Sequence, residues 1–499
     1  MPRKEKPTFV VTLQLDTSCP DASRLNDRVE CGRRINNATL QGGLRIVDVM
    51  RLDPRWDAAR KPPKGDARNE AFKAVREAHS FTEFSLQALA VSHKNAAGFA
   101  VRIGSHETQA IGTRIFKALE QHVFGRRGRP RFKGKKRPLH SLEGKNNAGM
   151  LRWNAETATV QIENGWVIPV CMPDLKKDEW LAAALQFRTK YCRIVWRRLH
   201  GHKRWFVQLV QDGRVPIKAS VAKRLAPEGT VGGLDIGPSN IGWVTDTEAG
   251  VQRFAPEVDR PHAEIRRLQR HIDRQRRANN PDNYHPDGRA KKGHRKWVRS
   301  ERQILAELEL AELQRYEADV RNQTHGRDTN FLLSKAAVWR DDGVSPKALQ
   351  KMYGRSVSVR APGHFMSALT RKAARAGGQR QVIDVRRLKT SQYDHSTNTF
   401  RKKSLSERWH VFGDGRGRVH RDLYSAFLAR NTEGNTHQPL TLEKAWQELA
   451  SFLRQAGWCD TKTQGADVSS RARTDFAVRQ SGSSVISGQE QQGLTPLPV

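Results

Sequence analysis

The stretch VGGLDIGPSNIGWVTD, Val231–Asp246, decides the reading of the chain's second half. Val231 to Ile236 is an apolar run interrupted by one acid, Gly237-Pro238-Ser239-Asn240 is turn chemistry, and Ile241 to Val244 is apolar again. The pattern is a buried strand, a tight turn and a second strand, which opens an α/β domain. Asp235 stands at the end of the first strand, where its carboxylate projects from the sheet edge and the turn leaves room for a ligand. Alone, it fits an Asx turn holding the strand connection just as well. Two further acids change the balance. Asp342, with Asp341 beside it, follows the short apolar stretch Ala336 to Trp339, and Asp422 opens the helix-like DLYSAFLAR. Three separated carboxylates in a basic chain are what two-metal phosphodiester cleavage requires. Hard oxygen ligands hold two Mg²⁺ or Mn²⁺ ions about 4 Å apart, one activating water and the other stabilising the leaving oxygen.

The basic character is pronounced. The 499 residues include 88 Lys+Arg against 52 Asp+Glu, a formal charge of +36. Such a field attracts polyanions, and nucleic acid fits it better than a membrane surface or a small metabolite. With 37% hydrophobic residues, 12 Trp and 18 Phe, the chain has the apolar material for real cores. At roughly 150 residues per domain it has room for about three. No run approaches the ~20 apolar residues of a membrane span, and MPRKEKPTFVV passes from a charged tail into a strand without a secretory signal. The expectation is a cytoplasmic protein. Five cysteines (Cys19, Cys31, Cys171, Cys192, Cys459) form no CxxC pair, which suits a reducing compartment and excludes a cysteine-type zinc finger.

The charge is segregated. RRGRPRFKGKKR, residues 126 to 137, holds eight basic groups and no acid: Arg126, Arg127, Arg129, Arg131, Lys133, Lys135, Lys136 and Arg137. Pro130 stiffens this strip and Phe132 can stack on a base. Residues 260 to 302 carry 14 Lys/Arg and five Asp/Glu. Ile265, Leu268 and Ile272 recur there at helical spacing, which leaves Arg266, Arg270, Arg274 and Arg277 on other faces, with Lys291, Lys292, Arg295 and Lys296 beyond. Both regions are candidate nucleic-acid contacts.

Along the rest of the chain, Phe9, Val11, Leu13 and Leu15 alternate as a half-buried strand, and the pattern then turns helical to about residue 125. Ser105 is an expected N-cap before Ile111, Ile115, Leu119 and Val123, with Gly125 as the stop. Hairpins are expected at Asn164-Gly165 and around Gly201. The Gly/Pro/Asn-rich residues 279 to 293 read as a loop between two antiparallel helices. Leu442, Trp446, Leu449 and Leu453 mark a last amphipathic helix, and residues 461–499 read as a disordered tail.

At the three acids the chain resembles a known family. LDIGPSNIGWV resembles the first motif of a RuvC nuclease domain. THG (Thr324–Gly326), SPKALQKMYGRS (Ser345–Ser356), RAPG (Arg360–Gly363), KKSLSERWH (Lys402–His410) and HRDLYSAFLAR (His420–Arg430) resemble segments of the transposon-encoded TnpB nucleases, as do RPRFKG (Arg129–Gly134) and SLEGK (Ser141–Lys145) upstream. These segments cover most of residues 126 to 430 in the family's order. Small type V CRISPR effectors are similar over the same span.

The resemblance implies an α+β multidomain fold: a β-barrel wedge domain with an inserted helical recognition domain, then an RNase H-like α/β RuvC nuclease domain with a helical insertion. On this plan residues 1–24 are the first wedge strand, 25–125 the recognition domain and 126–228 the wedge barrel. Residues 229–388 carry RuvC motifs I and II around a helical insertion at 260–320. Residues 389–419 are the counterpart of a nucleic-acid-binding zinc ribbon, and 420–460 hold motif III and a C-terminal helix. Asp235, Asp342 and Asp422 become the catalytic ligands of two Mg²⁺ or Mn²⁺ ions. The implied partners are a guide RNA and double-stranded target DNA, with base pairing reading the sequence and the protein a short flanking motif. The implied setting is a prokaryotic cytoplasm, with nucleoid association when the protein is on DNA.

Two departures stand out. Motif II carries Asp342 where the family has Glu, and a one-residue shift would select Asp341 instead. The ribbon segment holds no Cys, with Tyr393, Phe412 and Gly413 near the ligand positions. His395, His410 and His420 fit no standard zinc spacing, so no zinc is expected. These departures motivate an alternative: a guided DNA-binding protein with weakened or lost cleavage.

Overall fold

The computed structural model describes residues 7–460, apart from 136–137, 164, 294, 344, 405–406 and 433, together with 477–479. The chain divides into two compact units, Met1–Lys218 and Ala219–Val499.

The first unit begins with β1 (Thr8–Leu15), whose strict alternation of exposed and buried residues puts Phe9, Val11, Leu13 and Leu15 into the core. A helical insertion follows: α1 (Cys19–Leu52), α2 (Pro54–Ala58), α3 (Asp66–Ala78), α4 (Glu83–Ala96) and α5 (Ser105–Val123). Helix α1 starts at Cys19, ahead of the expected boundary at residue 25, because Ser18 and Asp21 form a capping box with Pro20 in the first turn. At α5 the cap is Gly104 rather than Ser105, and the Glu107 carboxylate accepts the Gly104 N–H at 2.8 Å. The same Glu107 takes Arg28 of α1 through Nε at 2.9 Å and Nη2 at 2.5 Å, a buried pair that sets α1 against α5.

Strands β2 (Ser141–Glu143), β3 (Leu151–Asn154), β4 (Thr159–Ile162), β5 (Trp166–Cys171), β6 (Thr189–Leu199) and β7 (His202–Asp212) complete a sheet in the order β2-β6-β7-β1-β5-β4-β3, with α6 (Glu179–Leu185) between β5 and β6. Asn147 draws the far strands together. It exchanges two hydrogen bonds with the Trp153 backbone, at 2.7 and 3.1 Å, and its Oδ1 also accepts from Cys192 Sγ on β6. The β4–β5 hairpin turns through Gly165 at φ +72°, and Asn164 lies outside the described residues. The β6–β7 hairpin turns through His200 and Gly201, both at positive φ.

The second unit takes in residues 219–228, which the sequence plan placed with the first; Ala226 N donates to Leu333 O within it. After the short α7 (Ala219–Ala222), β8 (Val231–Ile236), β9 (Asn240–Val244) and β10 (Glu248–Arg253) form an antiparallel meander. Helices α8 (Asp259–Ala278) and α9 (Glu301–Leu333) then pack as a hairpin, and α9 runs well beyond residue 320. Strand β11 (Val338–Asp341) lies parallel to β8. Helices α10 (Pro346–Arg360) and α11 (Pro362–Arg375) lead to β12 (Gln379–Val382), parallel to β11.

Beyond α12 (Val385–Leu388), two small pairings form: β13 (Tyr393–Asp394) with β14 (Thr399–Phe400), and β15 (Trp409–Val411) with β16 (Arg418–His420). Helices α13 (Arg421–Arg430) and α14 (Pro439–Gln455) follow, then β17 (Cys459–Asp460) beside β16. The expected disordered tail lies outside the described residues except for β18 (Ala477–Arg479), which pairs with β10. The central order is β12-β11-β8-β9-β10-β18. None of the described helices is long and apolar enough to cross a membrane.

Candidate active site

Residues of β8 alternate between two neighbours. A Cβ on Gly232 would fall 2.5 Å from the Trp339 ring, on one face of the sheet. A Cβ on Gly233 would fall 1.9 Å from the Ala426 carbonyl oxygen of α13, on the other. Gly242 on β9 repeats the second constraint, 2.7 Å from the Asp422 carbonyl oxygen. Only glycine admits α13 this close to the sheet, and Asp235, two residues after Gly233, shares that face. Arg340 of β11 fixes the far end of α13 by donating to the Arg430 and Thr432 carbonyls at 2.7 and 2.8 Å, a cation at a helix C-terminus.

These contacts bring the three predicted carboxylates together electrostatically. Burial, then the charges of Asp422 and Asp342, push the Asp235 carboxyl well above the usual carboxylate range, against the opposing pull of Arg421 and a hydrogen bond with Ser425. Asp422 sits in the first turn of α13, 3.5 Å from Arg421 Nε. The β8–β11 register pairs Leu234 with Asp341, so the next residue, Asp342, stands level with Asp235 at the C-terminal ends of two parallel strands. Asp341 turns the other way, is buried, and is held by both Nε and Nη2 of Arg380. Among the described residues, no group of three or more His, Cys, Asp and Glu side chains is gathered closely enough to hold an ion.

Asp235 and Asp422 open into a cleft of about 330 Å³ bounded also by the Gly237–Asn240 turn, Leu349, Met352 and Tyr353 of α10, Ser391, Gln392, Lys402, Lys403, Arg408 and Arg421. The four cations were not singled out from the sequence. They lie in or beside KKSLSERWH and HRDLYSAFLAR, but nothing in their spacing reports that the chain folds back onto Asp235.

Of the predicted nucleic-acid residues, Arg126, Arg127, Arg129, Arg131, Phe132, Lys133 and Lys135 are all exposed, and Lys136 and Arg137 lie outside the described residues. The strip is pinned by its backbone, because Lys133 N and O pair with the Asn37 side chain of α1 and Lys133 O also accepts from Arg33. Its side chains therefore point outward. On α8, Ile265 is buried, Leu268 and Ile272 are half-buried, and Arg270 and Arg274 are exposed; Arg266 is half-buried. Arg277 is engaged locally with Asp273 and the Gly288 carbonyl. In the loop before α9, Lys291 is half-buried and Lys292, Arg295 and Lys296 are exposed.

The three histidines of the ribbon-like segment are spread over separate partners. His395 Nδ1 meets the Tyr424 hydroxyl at 2.7 Å and its Nε2 lies 3.3 Å from Glu443. His410 bridges Lys403 and Asp394. His420 packs edge-on against Trp458 and Trp409. The core here is Phe412, Tyr393, Tyr424 and Trp446, while Trp409 lies half-exposed under Arg418.

No family model matches the sequence, and no curated protein matches it. Among solved structures, the fold is similar to that of a Cas12f1–sgRNA–target DNA complex, at 10% identity and a TM-score of 0.43 over 84% of this chain and 98% of that one. A CRISPR-Cas12f ternary complex is similar at 11% identity and a TM-score of 0.27, over 84% of this chain and 83% of that one.

Proposed function

We propose that the protein is an RNA-guided DNA endonuclease with a single RuvC-like site. The observation that carries this reading is the placement of Asp235, Asp342 and Asp422 at the C-terminal ends of two parallel strands and the start of a helix, beside a cleft walled by Lys402, Lys403, Arg408 and Arg421. The meander β8-β9-β10 with β11 and β12 added in parallel on the β8 side has the strand order of an RNase H-like sheet, which supports the nuclease reading. The seven-stranded sheet of the first unit and the helices inserted after its first strand support the wedge and recognition domains. The guide RNA and the duplex DNA target follow from the RuvC and TnpB motifs and from the exposed basic strip.

The three carboxylates suit Mg²⁺ or Mn²⁺. Burial first, and then the charges of Asp422 and Asp342, make Asp235 resist ionisation, an environment that a divalent cation would relieve. Asp235, Asp342 and Asp422 would hold the ions, which when bound supply water activation and stabilisation of the leaving oxygen. The chain's own groups do the rest. Arg421 and Ser425 hold the Asp235 carboxylate, the cleft cations bind the DNA phosphates, and Gly233 and Gly242 hold Asp422 at the sheet. A second reading, guided binding without efficient cleavage, is favoured by the shorter Asp342 at a position where the family has Glu, and by the Cys-less ribbon segment.

The test is to express the protein with its native flanking locus, sequence the RNA that copurifies, and offer a duplex matching it in Mg²⁺. Cleavage supports the nuclease; tight binding of the matched duplex without cleavage supports the second reading. Failure to recover RNA rules out both.

A further inference from the structure

Lys403 differs from the other cations of the cleft. Its Nζ is hydrogen-bonded to His410 Nδ1, and the opposite ring nitrogen, Nε2, lies 3.6 Å from Asp394 Oδ2. An ammonium can only donate, so Nδ1 accepts and the ring proton resides on Nε2, facing the carboxylate. Asp394 is itself fixed by the Gly413 N–H at 2.7 Å and by the Ser396 backbone and hydroxyl at 3.0 and 2.7 Å. His410 is buried and stacks on Tyr424, ring centroids 4.1 Å apart, and Tyr424 lies two residues beyond Asp422 on α13. An Asp–His–Lys chain thus runs from the core of the Cys-less segment to the wall of the cleft that holds Asp235 and Asp422.

We propose that Lys403 contacts a phosphate of the DNA strand in this cleft and that Asp394 and His410 are positioning residues that aim it there. The inference rests on the nuclease reading for the identity of the cleft. One Lys403 N–H goes to His410, which leaves the others for a phosphate oxygen. Burial, with the neighbouring Arg401 and Arg421, draws the ammonium down to about 8 against the support of Asp394 and Glu407, so an anion in the cleft completes its environment. The Asp394 carboxylate facing the His410 ring at 3.6 Å, and the His410 Nδ1 that accepts from Lys403, tie this loop to the core and fix the direction of its cation.

Two measurements on the full chain with its copurified RNA test this. The first is lysine acetylation read by mass spectrometry in the Asp235→Ala background, with and without an oligodeoxythymidine strand and, separately, an oligouridine strand. Protection of Lys403 by the DNA strand is expected. Unchanged acetylation of Lys403 while Lys402 is protected overturns the proposal, and protection by oligouridine alone moves the contact to RNA and overturns it as stated. The second is single-turnover cleavage. Lys403→Ala should slow it about 100-fold and His410→Ala about 10-fold, with DNA affinity little changed, and His410→Asn, which keeps an acceptor near Nδ1, should retain most of the rate. Because His410 acts through Lys403, His410→Ala should cost almost nothing further in the Lys403→Ala background; independent, multiplying losses contradict the positioning role. If the wild-type chain cuts no DNA, the nuclease reading fails, and the acetylation pattern still decides whether Lys403 meets phosphate.

Discussion

Asp341 receives Arg380 at two points, Nε to Oδ2 at 2.5 Å and Nη2 to Oδ1 at 2.6 Å, across the adjacent parallel strands β11 and β12. Oδ1 also accepts the Gly343 N–H at 2.9 Å, which forms the turn after the strand. The neighbouring acids therefore divide their work: Asp341 joins two strands, and Asp342 faces Asp235. Arg380→Met should strand a buried carboxylate and lower stability by about 3 kcal/mol, read by chemical denaturation. Asp342→Ala should abolish cleavage in a chain that still folds, because the carboxylate facing Asp235 is then lost. Asp342→Glu should maintain or raise the rate, because its longer reach suits a site where the family has Glu. Cleavage surviving Asp342→Ala but lost in a folded Asp341→Ala variant would reverse the assignment.

Gly233→Ala should destabilise the second unit by about 3 kcal/mol, since its Cβ would lie 1.9 Å from a backbone oxygen that cannot step aside without moving α13. Gly354→Ala, where nothing lies within 4 Å, is the control and should cost nothing. Equal denaturation midpoints for the two variants would show that α13 is not held against β8 as described.

His325 and His395 are buried and neutral, both lowered to about 4, mainly by burial. Unfolded histidines titrate near ~6.5. Protons therefore bind the unfolded chain first as pH falls, so this stabilisation is complete above pH ~6.5 and is lost progressively toward pH 4. Asp328, raised to about 6 by burial, opposes this over the same range, so thermal unfolding followed by circular dichroism should show Tm falling between pH 6 and 4 by less than the two histidines alone dictate. A Tm that is flat across that range would contradict the buried neutral state.

Charge reversal in the exposed strip, Arg129→Glu with Arg131→Glu, should weaken nucleic-acid binding and flatten its salt dependence by about one counterion for each phosphate that is no longer neutralised. Phe132, 56% exposed, should matter for single strands more than for duplex, because an aromatic ring stacks on an unpaired base. Binding titrations at several salt concentrations separate the two effects.

Much of this arrangement was legible in the sequence. Alternation at Phe9–Leu15, the turn at Gly201 and the strand–turn–strand at Val231–Val244 are local signals, and local patterns determine them. The helix start at Cys19 also had a local signal, the Ser18–Asp21 box, which a boundary drawn on composition passes over. The choice between Asp341 and Asp342 was not legible, because it depends on Arg380, on a strand about forty residues away. The same holds for Lys402, Lys403, Arg408 and Arg421: their place beside Asp235 is created by the return of the chain through β15, β16 and α13. The buried Asp394–His410–Lys403 chain was invisible for the same reason, since histidine spacing speaks to metal ligation and not to which side chains a fold brings beside each ring.

The most direct test of the central claim is cleavage of a duplex matched to the copurified RNA, measured with increasing Mg²⁺ for the wild-type chain and for Asp235→Ala and Asp422→Ala. The account predicts cutting that depends on Mg²⁺ and on the match, loss of at least about 100-fold in either variant, and matched-duplex affinity within about twofold of wild type. Cutting by Asp235→Ala at the wild-type rate would contradict it, because the carboxylate on which the other two act would then have no part in the chemistry.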